Sequence, residues 1–107
     1  MRWNGKMKNL QCKAYDLRKD VVSMIYEGKG GHIGGDMSVM EILTELYFCQ
    51  MNICPENVND DDRDRFIMSK GHCVEAYYAV LAAKGFLDIN DVVARYLKFG
   101  SPYIGHP

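Results

Sequence analysis

One short apolar run, Phe66-Ile67-Met68, is the only convincing strand in a chain otherwise patterned for helices. A lone strand leaves its backbone N–H and C=O groups without ladder partners, and burying them in that state is costly. A strand set between helices belongs in an α/β sheet whose other strands come from elsewhere. The expected class is therefore α/β: locally mostly helical, with one clear strand near residues 66–69, and incomplete as a folding unit.

The helical signals lie on both sides of that run. Leu10, Ala14, Leu17, Val21, Met24 and Ile25 recur at helical spacing and predict a first helix over residues 10–26. Gly28, Gly30 and Gly31 follow, and glycine readily takes the left-handed conformation that ends helices. Ser38, with Glu41 three positions later, reads as a capping box that opens a second helix. Its buried face is Val39, Ile42, Leu43, Leu46 and Tyr47. A third helix is predicted over residues 73–84, closing at Gly85. A fourth is predicted over residues 91–99, with Asp88 or Asn90 as cap and Gly100 as stop.

Residues 55–65 form a polar loop. Its aspartates Asp60, Asp61, Asp62 and Asp64 lack the alternation and the glycine turn of a calcium loop, so they read as a solvated surface.

Composition excludes several functions. The 107 residues allow one domain or a piece of one, and 48% hydrophobic with 25% charged residues argues against disorder. A formal net charge of −1 gives no basic surplus for nucleic acid or an acidic membrane surface. No apolar run is long enough to cross a membrane, and no apolar segment follows Met1 as a secretory signal would, so a cytoplasmic location is expected. Cys12, Cys49, Cys54 and Cys73 form no C-x-x-C pair and read as reduced thiols rather than zinc ligands.

The chemistry concentrates in three Gly-His pairs: Gly31-His32, Gly71-His72 and Gly105-His106. All three fall in loops or at element boundaries, where functional side chains gather. Glycine before histidine lets the backbone approach a ligand while the imidazole points at it. Any one of these histidines alone would more often be structural, but three of three in this setting shifts the balance. His72 is the best placed, because it follows the predicted strand and opens a helix. A helix N-terminus suits an anion, and Ser69, Lys70 and His72 would surround a phosphate or diphosphate there. Imidazoles also donate, accept and shuttle protons near neutral pH, which suits sugar hydroxyls and carbonyls. Lys70 could equally pair with the acidic loop.

These residues carry a resemblance. Gly31 to Ser38, then Glu41-Ile42-Leu43 and Leu46-Tyr47-Phe48, resemble the GHPGG…S…DIL…LYF region of transketolases. Asp64 to His72 resembles their DRF-[IV]-L-SKGH segment. Ala76 to Ala79 with Gly85-Phe86 resembles the helix that follows, and Gly105-His106-Pro107 the family's GHP. The resemblance covers roughly residues 12–107 in matching order and implies the N-terminal, thiamine-diphosphate-binding section of a transketolase.

Such enzymes move a two-carbon ketol unit from a ketose phosphate to an aldose phosphate, with thiamine diphosphate as electron sink. The resemblance implies that His72, Gly71 and Ser69 bind the cofactor. It implies that His32 and His106 are catalytic and also contact substrate, and that Lys70 helps to bind substrate. Mg2+ or Ca2+ is implied, with its ligands outside this chain, because the family's later GDG…N segment is absent. The pyrimidine-binding domain is absent too. The chain resembles the split, two-subunit type and reads as truncated: an incomplete N-terminal portion over residues 1–107, inactive alone. The implied partners are a C-terminal transketolase section or subunit, in a homo- or hetero-oligomer, and sugar phosphates.

Three departures stand out: Ile33 in place of a proline, Asp36 in place of a small residue, and Cys73 in place of an alanine. Asp36 is expected to add negative charge near a phosphorylated substrate. A deoxyxylulose-phosphate synthase relative ranks below, because Cys73-Val74-Glu75-Ala76 does not continue as GHQAY. A non-catalytic assembly piece, docking through exposed apolar helix faces, is the reading of another kind.

Overall fold

The computed structural model describes the backbone of residues 2–105 and the side chains of residues 8–105. Four α-helices occur among them: α1 (Arg2–Gly28), α2 (Ile33–Glu45), α3 (Val74–Lys84) and α4 (Ile89–Arg95). A π-helical turn, Leu46–Gln50, prolongs α2, and single 3-10 turns occupy Pro55–Asn57 and Gly71–Cys73. The long α1 packs against each of the other three helices, and α2 packs against α3.

The apolar stripe of α1 does what its spacing predicts. Ala14, Leu17, Val21 and Met24 are buried against Met40 and Leu43 of α2 and Val74, Ala76, Ala79 and Val80 of α3. Val92 of α4 and Tyr96 just beyond it close the same core. Each large side chain buried this way contributes about 1.5–3 kcal/mol. Short helices such as α3 and α4 therefore depend on this shared core more than on intrinsic propensity.

The expected strand is not present. No strand occurs among the described residues, and residues 64–68 have no regular structure. Phe66 and Met68 pack on the core while Ile67 is 87% exposed, so the run alternates in and out without a neighbouring strand. Phe66 is held by aromatic contacts instead, with ring centroids 5.9 Å from Tyr47 and 5.5 Å from Tyr77. The apolar run reflects a side-chain anchor rather than a ladder. With no lone strand among the described residues, unpaired ladder groups give no ground for calling the chain incomplete.

Helix ends also differ from expectation. α1 begins well before residue 10. At its end the left-handed position is held by Lys29, with φ 58°, and Gly30 N–H donates back to Ile25 O at 3.3 Å. Gly28 serves packing: a Cβ there would lie 2.8 Å from Cδ2 of Tyr96. α2 begins at Ile33, so Ser38 lies inside it and donates from Oγ to Gly35 O rather than capping. A tertiary contact at His32, described below, sets that start. Asp88 does cap α4, accepting from Asn90 N–H at 2.9 Å. That helix stops at Arg95, short of Gly100: Tyr96 is drawn into the core, and Leu97, with φ 61°, donates its N–H to Tyr103 O. α3 ends as expected, at Gly85 with φ 99°.

The four cysteines are free thiols, and the aspartates Asp60, Asp61, Asp62 and Asp64 are exposed, as the sequence suggested. Among the described residues no helix is long and apolar enough to cross a membrane.

Candidate functional site

The N-terminal ends of α2 and α3 meet, and each brings a histidine. His32 is the residue before α2, and His72 sits in the 3-10 turn that feeds α3. Their ring centroids are 5.6 Å apart, with planes inclined at 69°. His32 is exposed and His72 half-buried, so both imidazoles can be reached from solvent.

Two reciprocal hydrogen bonds hold the ends together. The His32 backbone N–H donates to Glu75 Oε1 at 2.8 Å, from the loop of one helix to a side chain of the other. The Ala76 backbone N–H donates to Asp36 Oδ1 at 3.0 Å in the opposite sense. Each carboxylate thus satisfies a donor at the start of the neighbouring helix, where helix N-termini need acceptors.

Two glycines permit the approach. A Cβ at Gly35 would lie 2.7 Å from Cys73 Sγ and 3.3 Å from His72 Cδ2. Gly31 has φ +151°, and a Cβ there would lie 2.7 Å from Cγ1 of Ile25 and 2.9 Å from Glu75 Oε1. Gly31→Ala is therefore expected to lower stability by at least about 1–3 kcal/mol, the usual cost of a strained backbone position. The check is a lower midpoint in urea unfolding.

The electrostatics of the seam are unusual. Asp36 and Glu75 are both fully buried. Burial first, and then a hydrogen bond shared with Glu75, pushes the Asp36 carboxyl from 3.8 up to about 8. The expectation that Asp36 adds charge near a phosphorylated substrate is thus corrected: its side chain faces α3, inside the seam. Asp36 Oδ2, Glu75 Oε2 and the Tyr96 hydroxyl are buried without a conventional partner. Burial likewise raises the Cys73 thiol and the Tyr96 and Tyr78 hydroxyls.

Glu75 is not among the candidates that the sequence singles out, although a signal was available. The helix Val-Glu-Ala-Tyr-Tyr-Ala-Val-Leu-Ala-Ala-Lys is apolar nearly all round, as buried helices are. A single carboxylate within it has to be buried and paired.

The remaining candidates are less tightly placed. Gly71 opens the 3-10 turn, and Lys70 caps it through its carbonyl, which accepts from Cys73 N–H at 3.0 Å. The Ser69 and Lys70 side chains are exposed. His106 lies outside the described residues. Among the described residues no group of three or more His, Cys, Asp or Glu could hold a metal ion.

Residues 11–107 match the transketolase, thiamine diphosphate binding domain, and the chain belongs to that family. Among curated relatives, it is 45% identical over 102 residues to one subunit of the apulose-4-phosphate transketolase of Phocaeicola vulgatus, covering 95% of this chain and 36% of that protein. It is 43% identical over 82 residues to one subunit of the 6-deoxy-6-sulfo-D-fructose transketolase of a Clostridium species, covering 77% and 30% respectively. Against human transketolase the identity is 31% over 102 residues, covering 95% of this chain and 16% of the human protein. The chain thus spans little more than a third of the length of the first of these relatives.

Proposed function

We propose that this chain is the N-terminal portion of the thiamine-diphosphate-binding part of a transketolase, working with a C-terminal section or partner subunit in the cytoplasm. The observation that carries the reading is the His32–His72 pair, 5.6 Å apart at the starts of two helices. The residues fit the cofactor's anionic end. The turn at Gly71–Cys73 feeds the start of α3, where a helix end suits an anion, and Gly35 leaves the backbone close to His72.

In this reading His72, Gly71 and Ser69 hold the diphosphate. His32 and His106 face the sugar and move protons at its carbonyl and hydroxyls, and Lys70 reaches a substrate phosphate. Bound thiamine diphosphate supplies the carbon nucleophile and the electron sink. Mg2+ or Ca2+, held by ligands from beyond this stretch, neutralises the diphosphate. The substrates are sugar phosphates, and the likeness to the Phocaeicola protein makes apulose 4-phosphate the first to assay.

The test is ketol transfer by the chain joined to the remaining transketolase sequence or subunit. Transfer that requires thiamine diphosphate and a divalent cation is the expected result. Its absence from a folded, cofactor-loaded complex would overturn the reading.

A second reading, an assembly piece without catalytic function, is favoured by one observation. Phe99, Ile67 and Tyr26 are large apolar side chains left strongly exposed. It predicts tight complex formation with no loss of transfer when both histidines are replaced.

A further inference from the structure

The buried carboxyls between α2 and α3 have a role that the proton-transfer reading of the imidazoles does not use. We propose that Asp36 and Glu75 are positioning residues that share one proton across the seam and thereby fix the spacing of His32 and His72. The proposal deepens the functional reading above and rests on it for its significance, but not for its geometry.

The bonding pattern favours a shared proton. Asp36 Oδ1 and Glu75 Oε1 are each used by a backbone N–H of the opposite helix. The second oxygens, Asp36 Oδ2 and Glu75 Oε2, are buried with no N–H donor of their own. Among the described residues neither carboxylate is paired with Lys or Arg. An ionised carboxylate only accepts hydrogen bonds, so two such atoms repel unless one carries a proton and donates to the other. With the proton in place every oxygen of the pair has a use, and the two helix starts are clasped. Without it, two like charges lie buried in the same seam, and the clasp has to open or admit water.

Among the neighbours the Tyr96 hydroxyl can offer Glu75 a hydrogen, but that single hydrogen leaves Asp36 Oδ2 without a donor. From α3 and its turn come Tyr78, Cys73 and His72, from the loop before α2 comes His32, and beyond α4 comes Tyr96. Lys70 carries the nearby positive charge felt at Cys73. Burial pushes the Cys73 thiol and both tyrosine hydroxyls up, above the range in which Asp36 titrates. Asp36 is raised from 3.8 to about 8, so the folded seam retains a proton that the unfolded chain releases. Stability from this group is whole below 3.8, declines as pH rises, and is lost beyond about 8.

The histidines report the state of the clasp. In the full chain, nuclear Overhauser contact between the His32 and His72 ring protons is expected to be strong at about pH 6 and lost at about pH 10, in a reversible transition centred near 8. Asp36→Asn supplies a permanent amide donor to Glu75 and keeps an oxygen for Ala76 N–H. It should retain the contact at both pH values, while Asp36→Ala should lose it at both.

A wild-type contact that persists unchanged at the alkaline end would overturn the proposal. So would an Asp36→Asn chain that is folded yet behaves like Asp36→Ala. A buried aspartate with a merely structural part would give neither the pH transition nor its removal by Asn. Ketol transfer is measured separately, so a silent enzyme with an intact pH-dependent contact would sink the functional reading and leave the clasp standing.

Discussion

His72→Ala in the completed enzyme is expected to lower kcat for ketol transfer by about 10²–10³-fold, the usual loss on removing one positioned charge-stabilising side chain. The side chain sits half-buried where the 3-10 turn passes into α3, against Gly35 on one side and the His32 ring on the other. Removing it takes away the imidazole nearest the proposed diphosphate position, with little volume lost from the main core. His32→Ala should also lower kcat, with a larger effect on KM for the sugar, because His32 is the more exposed ring of the pair. The rings touch edge to face, so the double variant should lose less than the product of the two single losses. Steady-state kinetics at saturating thiamine diphosphate measure all three. Unchanged activity in the double variant would remove the histidines from the mechanism and favour the assembly reading.

Leu43→Ala is expected to cost about 2–5 kcal/mol, the range for truncating a fully buried leucine in a core that cannot collapse onto the gap. Leu43 has no exposed surface and sits on the face of α2 that meets α1 and α3. The same helices carry both imidazoles, so the site should loosen with the core. Val22→Ala on the outer side of α1, where Val22 is 48% exposed, is the control and should change stability by no more than about 0.5 kcal/mol. Urea unfolding followed by circular dichroism gives both values, with the slope unchanged if only the native core is affected.

Much of the helical frame was legible because its signals are local. Ala14, Leu17, Val21 and Met24 announce a buried stripe by spacing alone, and all four are buried. Asp88 and Gly85 do what their side chains, or the lack of one, dispose them to do at helix ends. The failures share a cause. Phe66-Ile67-Met68 looks like a strand by composition, but aromatic packing on Tyr47 and Tyr77 holds it. Ser38 looks like a cap, yet α2 begins at Ile33 because Glu75, far along the chain, takes the His32 N–H.

By itself the amino-acid order determined where the main helices lie, the buried stripe of α1, and which histidines stand beside glycine at segment boundaries. On α2 it placed Ile42 on the buried face, where the structure leaves Ile42 60% exposed and buries Met40 instead. It also carried the family, since Gly31 to Ser38 and Asp64 to His72 are contiguous motifs. Only the tertiary structure decided that two of those motifs meet, with rings 5.6 Å apart, and that Asp36 and Glu75 lie buried between them. The physical reason is that periodicity and capping act within a few residues. A carboxyl's partner and its proton depend on what packing brings against it from the other end of the chain.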